Sequence, residues 1–282
     1  IPNFDSNFPV DFAFFKDIDT GGANWWASAR LMQGKNLRIN SNVAEGTASS
    51  MTFDSNVGYN KDSGAGSDHQ AWMWKRSAGF DVVTYKGDAV AGRQIPHSLS
   101  KTPEFMLVKS RGYADGWLVY HKGMNGGTNP QNYYMQLQTT ATEATGTGAW
   151  NDTAPTSSHF TIGNWAEVNR DGYEFITMLF ASVDGISKVG YFNGSDSEQT
   201  ITTGFQPRLL ILRSATGNGE NWYILDTTRG WASGNDQSMW LNDNAAQWAA
   251  NYGAPTSTGF TLPGNHSGTN DAGQKYIYYA HA

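Results

Sequence analysis

Ala154-Pro155-Thr156-Ser157-Ser158-His159-Phe160-Thr161-Ile162 returns 100 residues later as Ala254-Pro255-Thr256-Ser257-Thr258-Gly259-Phe260-Thr261-Leu262. Self-similarity at a fixed spacing means that one structural unit is built more than once. The match continues outward in both directions. Asn169 and Gly172 answer to Asn270 and Gly273, and each pair precedes an aromatic run, 173–181 in one copy and 275–280 in the other. Upstream, residues 102–109 parallel 206–213, Gly116-Trp117-Leu118-Val119-Tyr120 parallels Asn221-Trp222-Tyr223-Ile224-Leu225, and 134–144 parallels 239–246. A more degenerate copy opens the chain. Its first strand is 8–16, its Trp segment is Asn24-Trp25-Trp26, its small-residue segment is 36–44 and its closing aromatic run is 69–75.

Within each copy, short β-branched and aromatic runs are bounded by Gly, Asn, Pro and Ser, which reads as strands. The strands expected are 82–85, 105–109, 117–120, 133–138, 160–162, 175–181, 189–192, 209–213, 222–225, 239–241 and 275–280. Gly126-Gly127, Asn193-Gly194 and Asn218-Gly219 are hairpin-type turn signals. A 3.6-residue period is almost nowhere sustained, although 244–251 has room for one or two helical turns. The reading is an all-β chain of tandem β-sandwich-like modules, three copies of one repeat with the first degenerate: 1–78, 79–185 and 186–282. The junctions fall near Ser77-Ala78-Gly79 and Asp184-Gly185. Their shortness predicts a stiff rod; the alternative is a solenoid whose copies share sheets.

Composition narrows the function classes. Of 282 residues 39% are hydrophobic and only 16% are charged, against about 25% in an average soluble domain. Gly, Ser, Thr and Asn replace the charge and suit tight turns. The net charge is −6 and no basic run stands out, so nucleic acid is not an expected partner. No stretch approaches the ~20 apolar residues of a membrane span. The absence of cysteine removes disulfides, thiolate metal sites and cysteine nucleophiles. The chain starts at Ile1 without a charged and then apolar leader, which reads as processing or as a piece of a longer chain.

No catalytic pattern emerges. The six histidines, His69, His97, His121, His159, His266 and His281, form no HExxH, and GxSxG is missing. Paired carboxylates could cleave glycosidic bonds, with Glu143, Asp152, Glu167 and Asp171 as candidates. Glu143 faces Ala245 and Ala246 in the third copy, Asp152 and Glu167 also lack matched acids, and loop acids commonly form turns. The acidic loops 62–68 and 193–198 are the best Ca²⁺ candidates, yet neither fits an EF-hand and both read as polar turns. No catalytic residue, metal or cofactor is therefore assigned, and a non-enzymatic protein is expected.

Eleven tryptophans carry the remaining signal. Trp25, Trp72, Trp74, Trp117 and Trp222 lie in predicted strands and read as core. Trp150, Trp165, Trp231, Trp240 and Trp248 lie in or near polar segments and are the candidate ligand- or interface-binding residues. Exposed rings need cover, from a sugar face, a neighbouring subunit or the module's own loop.

The repeated order is a turn-flanked strand ending in Tyr, Pro with an apolar strand ending in Lys or Arg, a Trp strand, a small-residue segment, Pro-Thr-Ser-x-x-Phe, and Asn-x-x-Gly before an aromatic strand. It runs over 82–181 and 189–280 and resembles the tandem β modules of structural and tail-fibre proteins of marine and cyanobacterial tailed phages. That resemblance implies a virion or extracellular location, other virion proteins as partners, and a structural role in assembly and host attachment. The alternative is a glycan- or receptor-binding, lectin-like module directed at a host surface glycan. Part-exposed rings also predict a homo-oligomer. Copies two and three each begin with an extra strand, 80–87 and 188–194, which copy one lacks. Completion of module 1 by a strand from outside is the corresponding expectation.

Overall fold

The computed structural model describes residues 4–49, 51–61, 68–217 and 219–282. The chain is all-β, and each repeat forms one main antiparallel sheet. In module 2 the sheet runs, in spatial order, Ala144–Thr145, Tyr133–Gln136, Leu118–His121, Phe105–Ser110, Glu174–Phe180 and Phe80–Lys86. We call the last four the Trp strand, the central strand, the closing strand and the leading strand. Module 3 repeats this order with Trp248–Ala250, Asp236–Trp240, Tyr223–Asp226, Leu209–Ser214, Lys275–His281 and Ser187–Asn193. The main sheet of module 1 has, among the described residues, five strands: Gly46–Thr47, Lys35–Arg38, Trp26–Ala29, Phe12–Asp17 and His69–Trp74. Residues 248–250, expected within a helical turn, instead form an outer strand paired with Asp236–Ser238.

The central strands are apolar on both faces because both faces are covered. Side chains alternate along a strand. Met106 and Val108 point to one side, where the small sheet of Arg93–Pro96 and His159–Ile162 makes a sandwich core with Phe160, Ile162 and Phe175. Leu210 and Leu212 do the same in module 3 against the sheet containing Gln199–Thr202 and Gly259–Leu262. Ala13 and Phe15 do so in module 1, in a core with Phe53 and Tyr59. The recurring asparagines tie these layers together. Asn169 Nδ2 donates to Gly163 O at 2.9 Å and its Oδ1 accepts from Asp88 N at 2.9 Å; Asn270 Nδ2 donates to Pro263 O at 2.9 Å and its Oδ1 accepts from Ser195 N at 2.8 Å.

The opposite faces meet one another. Phe12 and Phe14, Phe105 and Leu107, and Leu209 and Ile211 belong to a single core with Trp25, Trp117 and Trp222. The modules therefore close around a common centre and do not form a rod or a strand-sharing solenoid. Their contacts are cyclic. Trp25 Nε1 donates to Trp240 O (2.7 Å), Trp117 Nε1 to Arg38 O (2.7 Å) and Trp222 Nε1 to Gln136 O (3.3 Å). In each case the acceptor occupies the same register position of the next module. The buried cation of each central strand repeats the cycle: Lys16 Nζ reaches Asn244 O, Lys109 Nζ reaches Asn42 O and Arg213 Nη2 donates to Ala141 O. A backbone set runs the other way, Glu45 N to Arg111 O, Glu143 N to Ala215 O and Gln247 N to Ile18 O, all within 2.7–2.8 Å. Three repetitions of three independent bonds define a pseudo-threefold arrangement inside one chain.

Burial in these seams shifts titrations. Desolvation pushes Lys109 down to about 8 and Arg213 down to about 10. His121 sits in the seam between modules 2 and 3. Its Nδ1 accepts from Gly123 N at 3.0 Å, so Nε2 carries the proton towards Tyr278 O at 3.1 Å. Desolvation in this fully buried position pushes its pKa down to about 3.

Candidate functional site

The side chain that follows each buried Trp points to the opposite face of the main sheet, because successive strand residues face opposite ways; it is half-buried in module 1 and buried in modules 2 and 3. These positions are Trp26, Leu118 and Tyr223, and their cross-strand neighbours are Arg38, Gln136 and Trp240. One shallow ledge therefore recurs per module, with different side chains.

In module 1 the Arg38 guanidinium lies 4.9 Å from the centre of the half-buried Trp26 ring. Together with Asn36 and Val43 they line a cleft of about 350 Å³. In module 2 the cleft is about 390 Å³ and is lined by Leu118, Tyr134, Gln136, Trp165 and Glu167. Tyr134 meets Trp165 edge-on, 4.9 Å between ring centres at 89°, the geometry an aromatic quadrupole prefers. Trp165 lies flat over the turn at Thr147–Trp150 because Gly148 has no side chain: a Cβ there would stand 1.9 Å from the Trp165 ring. In module 3, Trp240 and Trp248 pack 4.0 Å apart at 60°, Tyr223 meets Trp240 at 6.1 Å and 87°, and Trp248 Nε1 donates to Tyr252 Oη at 2.8 Å.

The five candidate tryptophans thus divide. Trp165, Trp240 and Trp248 are half-buried on ledges. Trp150 and Trp231 are each only 1% exposed, which corrects their assignment as accessible ligand or interface residues. Trp150 donates to Tyr133 O at 2.9 Å and Trp231 packs in the module 3 sandwich core beside Phe260. In both cases a short helical or 3₁₀ turn folds the ring inward, so polar neighbours in sequence misstate its surroundings. The need for a neighbouring subunit to cover them disappears with that burial. Trp26, Arg38, Tyr134 and Gln136 were not singled out from sequence; of these only Trp26 directly follows a buried Trp, where strand alternation could have marked it.

The carboxylates considered for glycosidic cleavage serve different places. Glu143 accepts from Asn125 N at 2.7 Å near the seam with module 3, where burial raises its pKa. Glu167 stands on the module 2 ledge, and Asp152 and Asp171 are exposed. Among the described residues no three of His, Asp and Glu gather as a metal-ligand set. The acidic loop 62–67 lies outside the described residues. The loop 193–198 is held by Asn270, which also accepts Gln199 Nε2. No described helix is long and apolar enough to cross a membrane.

Fold and ledges together define an all-β scaffold of three pseudo-equivalent sandwich modules closed on one core. The chain belongs to the family described as "Domain of unknown function (DUF7483)", whose profile matches residues 5–282. No curated protein and no solved structure gives a significant match.

Proposed function

We propose that this chain is a non-catalytic attachment and structural module of an extracellular particle, of the tail-fibre kind, that engages surface glycan through its three aromatic ledges. The observation that carries the reading is a half-buried ring on the same face of each main sheet, at a different position in each module: Trp26, Tyr134 with Trp165, and Trp240 with Trp248. In modules 1 and 2 groups that hydrogen-bond hydroxyls stand beside it, Arg38 and Asn36, and Gln136 and Glu167. The C–H face of a pyranose covers an aromatic ring, and its equatorial hydroxyls meet amides, carboxylates and guanidinium groups at the rim. Weak sites on one rigid body gain avidity against a repeating polymer, by about 10²–10⁴. The virion setting rests on the repeat pattern's resemblance to phage structural modules. Differences among the ledges favour a heterogeneous glycan over three identical sugars.

Glycan-array screening followed by titration of the best oligosaccharide tests this. Trp165→Ala and Arg38→Ala are expected to weaken binding about tenfold each, and the pair to remove most avidity for the polymer. Release of reducing ends from the bound polysaccharide, lost in Glu167→Gln, would overturn the non-catalytic reading. Binding unaffected by all ledge substitutions would overturn the site.

A further inference from the structure

In modules 2 and 3 the closing strand is paired on both sides, by the central strand and by the leading strand. In module 1 the closing strand pairs, among the described residues, with the central strand alone. Register places Trp74, Trp72 and Gln70 where module 2 has Phe180, Met178 and Ile176 and where module 3 has His281, Tyr279 and Ile277. Opposite those positions the leading strands set Phe80, Val82 and Thr84 in one case and Ser187, Val189 and Tyr191 in the other.

A cleft of about 380 Å³ lies where the third leading strand would start. Trp74, Phe80, Ile186, Ser187, Leu209 and Tyr279 line it. Phe80 and Ser187 are the first residues of the leading strands of modules 2 and 3. Further along, module 3's leading strand lays Tyr191 over Gly123 and Gly127 of module 2. The corresponding turn for module 1 follows Asp226, which accepts the indole of Trp72 at 3.0 Å, and carries exposed Thr227 and Thr228. A sheet edge with an apolar start pocket and a prepared side wall is a template for strand addition.

We propose that module 1 accepts an extended strand of a partner polypeptide, antiparallel to 70–74, with apolar side chains at the first and third positions. The pseudo-threefold equivalents fix its direction, its length of about seven residues and its alternation. A second folded copy of this chain is not the donor. Its two leading strands, 80–86 and 187–193, are already paired with their own closing strands.

The probe is a synthetic peptide with the sequence of residues 80–87, labelled for anisotropy, against a control in which apolar and polar positions are exchanged. Saturable binding of the first and at least tenfold weaker binding of the control are expected. Amide exchange across 70–74 is expected to slow at least tenfold in the complex. Ile186 is half exposed at the cleft mouth, so Ile186→Glu is expected to weaken binding at least tenfold without moving the thermal midpoint. No saturable binding at millimolar peptide, protection confined to another edge, or equal binding by Ile186→Glu would each overturn the proposal. A chain carrying the same peptide through a flexible Gly/Ser linker at its start is expected to refuse added peptide; continued binding there also counts against the edge as the site.

Discussion

His121 shows how much one buried side chain is set by its surroundings. Its Nε2–H points at a backbone carbonyl of the next module; burial holds its pKa down, Lys122 acts in the same direction, and the Glu104 carboxylate opposes them only weakly. With a folded pKa near 3 and an unfolded value near 6.5, the unfolded chain binds the extra proton first as pH falls. Stability from this group is therefore complete above about pH 6.5 and declines as pH falls towards 3. Urea unfolding at pH 7 and pH 4.5 is expected to show a drop about 2–3 kcal/mol larger in the wild type than in His121→Gln. Equal drops in the two proteins would mean that His121 does not titrate differently on folding. The three seam tryptophans belong to the same logic. Each indole finds a carbonyl across a module boundary, and a buried N–H without one would cost about 1–3 kcal/mol.

Among the elements, the ledge of module 2 depends on a short turn packing closely on its neighbour. Gly163 N donates to Ala149 O at 2.8 Å, and a Cβ on Gly163 would stand 2.2 Å from Gly148 O. Backbone cannot swing aside as a side-chain tip can. Gly163→Ala is expected to destabilise by about 1–3 kcal/mol and to displace Trp165, seen as a change in tryptophan emission. Gly21→Ala is the control: nothing lies within 4 Å of its Cβ position, and a change within about 0.5 kcal/mol is expected. A Gly163→Ala protein as stable as the control, with unchanged emission, would mean that the turn has room to relax. The strands themselves were legible along the chain because period, turn residues and β-branched content are local. The outer strand at 248–250 and the small-sheet strands 93–96 and 199–202 were missed because three or four residues carry too little period to separate strand from turn.

For the whole molecule, the shared core has a thermodynamic consequence. Cutting out residues 79–185 would bare Phe105, Leu107, Trp117, Met178 and Phe180, which now face the other modules. A single calorimetric transition is expected for the intact chain, with calorimetric and van't Hoff enthalpies agreeing. The excised segment is expected to stay unfolded or to aggregate. Two separated transitions, or a monomeric folded segment 79–185, would show that the modules are independent. Closure on one core also fixes the relative orientation of the three ledges, which is what multivalent engagement of one polymer requires.

The repeat, the all-β class, the strand positions and the core role of Trp117 and Trp222 were readable from residue order, since each rests on patterns a few residues long. The closed arrangement was not. A central strand with both faces apolar does not state which face meets its own small sheet and which meets its neighbours. The seams are closed by indole and cationic donors onto backbone carbonyls of residues 38, 136 and 240 and of 42, 141 and 244. A carbonyl is the same on every residue, so its partner leaves no mark in the sequence. The same holds for Trp150 and Trp231, whose burial depends on where a short turn folds in space. Local chemistry chose the elements, and long-range packing of identical backbone groups chose how three of them close.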